Sequence, residues 1–203
     1  RNAIASPATA LLIYQTDVKD IQESMREIAK RVNFGVIYGI SAYGLSKDLD
    51  ISVEVAQDFI DTYFLRYPQV KEYINKQIAM AREKGYVSTI MGRRRYLAYI
   101  NSNNNNLRQF SERQAVNASI QGSAADLIKL AMVNIQRQVD ENKMQSKMVL
   151  QVHDELIFDF PKQERDTLTE IVKKSMEEAF NLDVPIKVSL KIGRNWAEME
   201  GIE

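Results

Sequence analysis

The sequence predicts an α+β fold, mostly helical with a small antiparallel β part, and three observations carry that reading. Residues 25–39, 53–67, 69–84 and 107–139 place apolar side chains at the three- and four-residue spacing of amphipathic helices. Met148 to Phe160 (MVLQVHDELIFDF) sets two β-rich runs on either side of a polar turn, as a hairpin does. Val184 to Ile192 alternates apolar and polar residues, as a further strand does.

The composition narrows the class. With 203 residues the chain is long enough for one or two domains with a real core, and 45% hydrophobic with 27% charged residues is the mixture of a soluble globular protein. No apolar run approaches a membrane span, and RNAIASPATALLIY has neither the charge asymmetry nor the apolar length of a signal peptide. The expected location is the cytoplasm, with no membrane partner. The absence of cysteine excludes disulfides and thiolate metal sites, and the single histidine, His153, excludes sites built from several imidazoles. Any metal is therefore held by oxygen. With 27 basic and 27 acidic residues the net charge is zero, so bulk charge announces no nucleic acid, although a local basic surface remains open. The chain begins with Arg1 rather than Met, and the expectation is a piece of a longer polypeptide or a processed product.

Taken in order, residues 1–15 read as the end of an earlier element, with Ala8 to Tyr14 apolar enough for a buried helix. Asp20 or Ser24 is the expected N-cap of the helix that follows. Within Met25 to Gly39, Arg26, Lys30, Phe34 and Tyr38 stand four residues apart. Each such step turns only about 40° around a helix axis, so all four share a face. Two cations followed by two flat rings suit a nucleoside triphosphate: the charges hold the phosphates while a ring packs on sugar and base. An ordinary solvated basic face leading into core aromatics has the same spacing. Gly35 sharpens the first reading, because glycine inside a helix costs about 1 kcal/mol against alanine and so suggests that something large approaches the backbone there. Gly39 is in the position of a helix end.

Beyond Gly39 a turn-rich helical segment is expected, then a helix over Val53 to Tyr67 capped by the Ser52 hydroxyl. Pro68 starts the next helix and Gly85 ends it. Tyr86 to Ile90 reads as a short strand, and Gly92 turns into Arg93, Arg94 and Arg95. Three consecutive arginines cannot point one way, so at least one faces a phosphate or a carboxylate unless all are solvated. Asn101 to Asn106 (NSNNNN) reads as a mobile polar loop and the boundary between two parts of the chain. Leu107 to Val139 is one long helical region with a break expected near Gly122, and Arg113, Asn117 and Gln121 repeat the four-residue spacing along it. Such a row of donors suits the minor groove, whose acceptors differ little between base pairs; a plain polar face is the alternative. In the hairpin, His153, Asp154 and Glu155 occupy the tip. Adjacent acids between apolar strands call for a compensating cation if they are partly buried, and a divalent metal would supply it. A solvated turn is the alternative there.

Three motifs in one order, RxxxKxxxFxxxYG over Arg26 to Gly39, ERxxxNxxxQGxAAD over Glu112 to Asp126, and QVHDE over Gln151 to Glu155, resemble the family A DNA polymerases over almost the whole chain. The resemblance implies a right-hand polymerase architecture without the thumb: mostly helical fingers with an adjoining palm edge over residues 1–106, beside part of an antiparallel-sheet palm over residues 107–203 that carries the catalytic hairpin. It implies that Arg26 and Lys30 hold the triphosphate of a dNTP, Phe34 packs on its sugar and base, and Tyr38 sits near the template base. Phenylalanine rather than tyrosine at position 34 implies poor acceptance of dideoxynucleotides. Arg113, Asn117, Gln121, Gln151 and His153 would contact primer-template DNA, and Asp154 would be a metal-binding catalytic carboxylate with Glu155 beside it. The implied reaction is nucleotidyl transfer from dNTP to a primer 3′-hydroxyl with two Mg²⁺ ions, in a bacterial cytoplasm at the nucleoid.

Two departures accompany the resemblance. A motif like DYSQIELR, which carries the family's other palm aspartate, is absent, so this chain alone is expected to be inactive. Where the family reads DIHxxTA, residues 4–10 read IASPATA, with Ser6 in place of a phosphate-contacting histidine. The alternatives are a non-catalytic nucleotide- or DNA-binding module, and one half of a two-chain polymerase completed by the missing N-terminal part.

Overall fold

The structure, a computed structural model, describes residues 18–20 and 22–202. The expectations for residues 1–15, including the buried helix over Ala8 to Tyr14 and the position of Ser6, lie outside the described residues. The fold is α+β and mostly helical, and its strands form three separate two-stranded antiparallel sheets. The chain divides into two compact units, Arg1–Ile120 and Gln121–Glu203.

The first unit holds α1 (Glu23–Ile37), α2 (Ala42–Leu49), α3 (Val53–Arg66), α4 (Pro68–Lys84) and the hairpin of β1 (Tyr86–Ser88) and β2 (Arg94–Tyr96). α5 (Asn105–Glu141) begins in it and runs unbroken past Gly122 into the second. The break expected at Gly122 does not occur, since one interior glycine costs only about 1 kcal/mol against alanine. Of the expected caps, Ser52 accepts the Val55 N–H and Gly85 ends α4 at φ 74°, as the sequence predicts. The N-cap of α1 is Gln22 rather than Asp20 or Ser24. The asparagine run is not featureless, because Asn104 Oδ1 accepts the N–H groups of Asn106 and Leu107 and so opens α5. Asn101 meanwhile donates to the Arg82 carbonyl.

Val32 and Val36 of α1, Leu45 of α2 and Ala56 with Tyr63 of α3 form one core. Ala81, Val87, Leu97, Ile100 and Ala115 form a second, which seats the β1–β2 hairpin between α4 and the start of α5. The second unit contains the rest of α5, β3 (Lys147–Val152), β4 (Glu155–Asp159), α6 (Arg165–Glu177), β5 (Leu190–Ile192) and β6 (Glu200–Ile202). Ile135, Val139, Leu168, Ile171 and Val172 are its core, with Met148, Leu156 and Phe158 of the β3–β4 hairpin packed on them. The strand expected over Val184 to Ile192 shortens to β5, which pairs with β6 at the chain's end.

Candidate nucleotide and nucleic-acid site

The α1 ladder forms because its opposite side is committed to the core. Ala29, Val32 and Val36 are buried, and Val32 and Val36 each lie two residues, roughly 200° of helix, beyond Lys30 and Phe34. Lys30 is exposed, Arg26 half-buried and Phe34 40% exposed, so the row faces outward along the helix. Phe34 and Tyr38 are stacked on each other, with centroids 6.2 Å apart and planes 22° apart. The four residues predicted from spacing therefore do share one accessible face.

The end of α1 explains both glycines. Gly39 takes φ +78°, its N–H bonds to the Val36 carbonyl at 3.0 Å, and the Ile40 N–H bonds to the Gly35 carbonyl at 2.8 Å. This pair of bonds is a Schellman helix end, in which the residue after the glycine folds back on the last turn. Its side chain does so here: a Cβ at Gly35 would stand 3.0 Å from Ile40 Cγ2. The large group that approaches Gly35 is thus Ile40 of this chain, a correction to the expectation that the missing side chain made room for something else. At Gly39 the neighbour is distant in sequence, since a Cβ there would meet Arg113 Cγ at 2.9 Å.

Arg113 and Tyr38 line one shallow pocket together with Gly35, Gly39, Ile40 and Ser41. Ser41 had no place in the sequence reading. Its signal is a serine two residues past a helix-ending glycine, where its hydroxyl accepts the Gly44 N–H and starts α2. The middle motif runs on along α5, where Asn117 keeps its Oδ1 buried without a hydrogen-bond partner and Gln121 is exposed.

In the second unit, β3 and β4 form the expected hairpin, with Val152 paired to Glu155 and a two-residue turn of His153 and Asp154. His153 adopts φ +54°, a left-handed conformation that costs a non-glycine residue about 1–2 kcal/mol. The Gln151 side-chain amide donates to the His153 carbonyl at 3.0 Å and braces that turn. Asp154 and Glu155 are exposed, so the expectation of partly buried acids needing a cation does not hold. Among the described residues no group of three or more His, Asp or Glu converges as a metal site.

The first unit thus presents an accessible row of two cations and two rings, and the second a hairpin with two exposed carboxylates at its tip. The family model described as DNA polymerase family A matches residues 7–198, and the chain belongs to that family. It is similar to DNA polymerase I of Caldicellulosiruptor bescii, 49% identical over 190 residues that cover 94% of this chain and 22% of that protein. DNA polymerase I of Bacillus caldotenax is 47% identical over 188 residues, 93% of this chain and 21% of that protein. The chain spans about a fifth of the length of these curated relatives. Among solved structures, the POL domain of Pol1 from M. smegmatis, in complex with DNA primer-template and dNTP, superposes with a TM-score of 0.86 at 39% identity. It covers 90% of this chain and 32% of that one. No helix among the described residues is long and apolar enough to cross a membrane.

Proposed function

We propose that this chain is the nucleotide- and DNA-gripping part of a polymerase that performs template-directed DNA synthesis, transferring a nucleotidyl group from dNTP to a primer 3′-hydroxyl. The observation that carries the reading is the accessible row of Arg26, Lys30, Phe34 and Tyr38, ending at the pocket shared with Arg113. Its support from outside the chain is the polymerase relative solved with primer-template and dNTP. Arg26 and Lys30 bind the triphosphate through charge-assisted hydrogen bonds, Phe34 packs on sugar and base, and Tyr38 sits by the template base. Arg113, Asn117, Gln121, Gln151 and His153 contact the primer-template. Residues 1–106 act as fingers with a palm edge, and residues 107–203 as palm.

Asp154 is the metal-binding carboxylate, with Glu155 beside it. The chemistry that two Mg²⁺ ions supply in such a transfer is activation of the 3′-hydroxyl and neutralisation of the leaving charge. The oxygen donors here suit Mg²⁺ in kind but not in number, because two adjacent exposed acids do not surround an ion that prefers six oxygen ligands. No catalytic step is therefore assigned to this chain alone, which binds and orients while the longer polymerase completes the metal site.

Two measurements test this. Primer extension by the purified 203-residue chain is expected to be undetectable, and turnover would overturn the incomplete metal site. In the full-length parent, Asp154→Ala is expected to abolish extension while dNTP binding persists; retained extension would remove Asp154 from the mechanism.

A further inference from the structure

α4 contributes no residue to the site described above, yet it runs along the part of α5 that carries Arg113 and Asn117. Tyr73 meets Ser119, Ala81 shares a core with Ala115, and Arg82 pairs with Glu112 at 2.5 Å. Positions rise on α4 as they fall on α5, so the two helices are antiparallel here. The two members of the donor row that lie in the first unit are fixed in different ways. Arg113 packs its stem at Gly39, and Glu112 beside it is tied to Arg82. Asn117 has no such support, for its Oδ1 is buried without a hydrogen-bond partner. A short side chain with that oxygen unheld aims where its backbone aims.

That backbone is gripped from α4. The Tyr73 hydroxyl lies 2.9 Å from Ser119 Oγ, and Ser119 Oγ donates to the Val116 carbonyl at 2.8 Å. A hydroxyl has one hydrogen to give, so Tyr73 is the donor of the pair and the chain of bonds runs from Tyr73 through Ser119 to Val116. Val116 and Ser119 stand on either side of Asn117 in the sequence, and both are buried, at 3% and 4% exposed. A serine that bonds back onto its own helix competes with the backbone ladder there. The phenol holds that hydroxyl in place and so fixes the local course of the turn.

We propose that Tyr73 is a positioning residue for the nucleic-acid contact, its hydroxyl fixing, through Ser119, the turn of α5 that aims Asn117 at the minor groove. The inference rests on the reading of Asn117 as a primer-template contact and adds the residue that sets its aim. Minor-groove acceptors differ little between correct base pairs, so a donor held in one place distinguishes a correct pair from a displaced one. A donor free to follow the displaced acceptor does not. Loosening Asn117 therefore costs discrimination more than it costs correct synthesis.

The test is single-nucleotide extension by the full-length parent from a matched and from a mismatched primer terminus, with primer-template affinity and the urea midpoint measured on the same proteins. Tyr73→Phe, which removes only the hydroxyl, is expected to lower the ratio of matched to mismatched kcat/KM about threefold to tenfold, with matched extension changed less than about twofold. Ser119→Ala is expected to do the same, and Tyr73→Phe/Ser119→Ala to do no more than either alone, because both act through one hydrogen bond. In an Asn117→Ala background, Tyr73→Phe is expected to leave the ratio unchanged; a merely structural tyrosine would still lower it. If Asn117→Ala alters neither the ratio nor primer-template affinity, the reading of Asn117 as a contact is overturned, and the proposal with it. If Asn117→Ala acts while Tyr73→Phe and Ser119→Ala leave the ratio at the wild-type value, the contact stands and the positioning role falls. The role falls too if Tyr73→Phe acts equally with and without Asn117. Should the urea midpoint show that Tyr73→Phe is not folded, Ser119→Ala must carry the same loss and the same dependence on Asn117, or the proposal falls.

Discussion

Arg113 packs its aliphatic stem against Gly39, so closely that a Cβ at position 39 would stand 2.9 Å from Arg113 Cγ. Two of the three sequence motifs meet at that contact. Position 39 also carries φ +78°, where an L side chain is strained whatever the space. Gly39→Ala should cost about 1–2 kcal/mol, chiefly from the left-handed backbone, because the arginine stem can move. Gly39→Asn, which tolerates that conformation better, should lose less. Urea unfolding midpoints of the two variants decide it; equal losses would mean that contact with Arg113, not the backbone, sets the cost.

Gly35 should behave differently, for its backbone is helical and only Ile40 crowds it. Gly35→Ala gains helix propensity, worth about 1 kcal/mol, against a tight contact with Ile40 Cγ2. In a double-mutant cycle with Ile40→Ala the two changes should couple by about 0.5 kcal/mol or more, the alanine at 35 being tolerated better once Ile40 is shortened. Additive effects would show that the fold-back of Ile40 does not explain the glycine.

The α1 row should separate binding from folding. Arg26→Ala/Lys30→Ala is expected to weaken dNTP binding by about 100-fold, since a hydrogen bond to a charged group contributes about 1.5–3 kcal/mol. The unfolding midpoint should move little, because surface substitutions of this kind stay within about 0.5 kcal/mol. Titration with a fluorescent dNTP is the measurement, and unchanged affinity would remove the ladder from the nucleotide site.

Acid sensitivity should trace partly to Glu164. Its carboxylate accepts hydrogen bonds from the Gln145 N–H, the Ser146 hydroxyl and the Ser146 N–H, tying the β3 approach to the start of α6. The Gln145 N–H bond chiefly, then the Ser146 hydroxyl, holds its pKa below the ordinary 4.5 against the opposing effect of desolvation. A carboxyl depressed in the folded state stabilises above its unfolded pKa, and that contribution fades as pH falls through the lower folded value. Between pH 6 and 3, wild type should therefore lose more stability than Glu164→Gln, the two converging at the acid end. Parallel melting curves across that range would remove the clamp from the account.

The parts of the fold written locally were legible. Ser52, Pro68 and Gly85 announce helix ends because each acts on its own neighbours, and the helical and hairpin periodicities of α1, α3, α4 and β3–β4 needed no distant partner. β2 was not legible, since Arg94, Arg95 and Tyr96 carry no apolar alternation; the strand exists because Tyr96 meets Tyr86 and the neighbouring Val87 is buried. Asn104 was obscured by the asparagines around it, any of which has the chemistry to cap α5. In the site, spacing alone put Arg26, Lys30, Phe34 and Tyr38 on one face. The meeting of Arg113 with Gly39 depends on how α5 packs in the first unit, and no local pattern carries that. The apolar residues flanking the acids at 154 and 155 left partial burial and a solvated turn both open, and the turn is solvated because a hairpin tip lifts its residues clear of the faces its strands bury.

The helix end at Gly39 gives an engineer two kinds of position within five residues. Phe34 stands open on the outer face, so its side chain can be exchanged while the core remains untouched. Gly39 has less freedom: its left-handed backbone strains any L side chain and the Arg113 stem must shift to admit one, so a library that randomises residues 34 to 39 together should lose stability first at position 39.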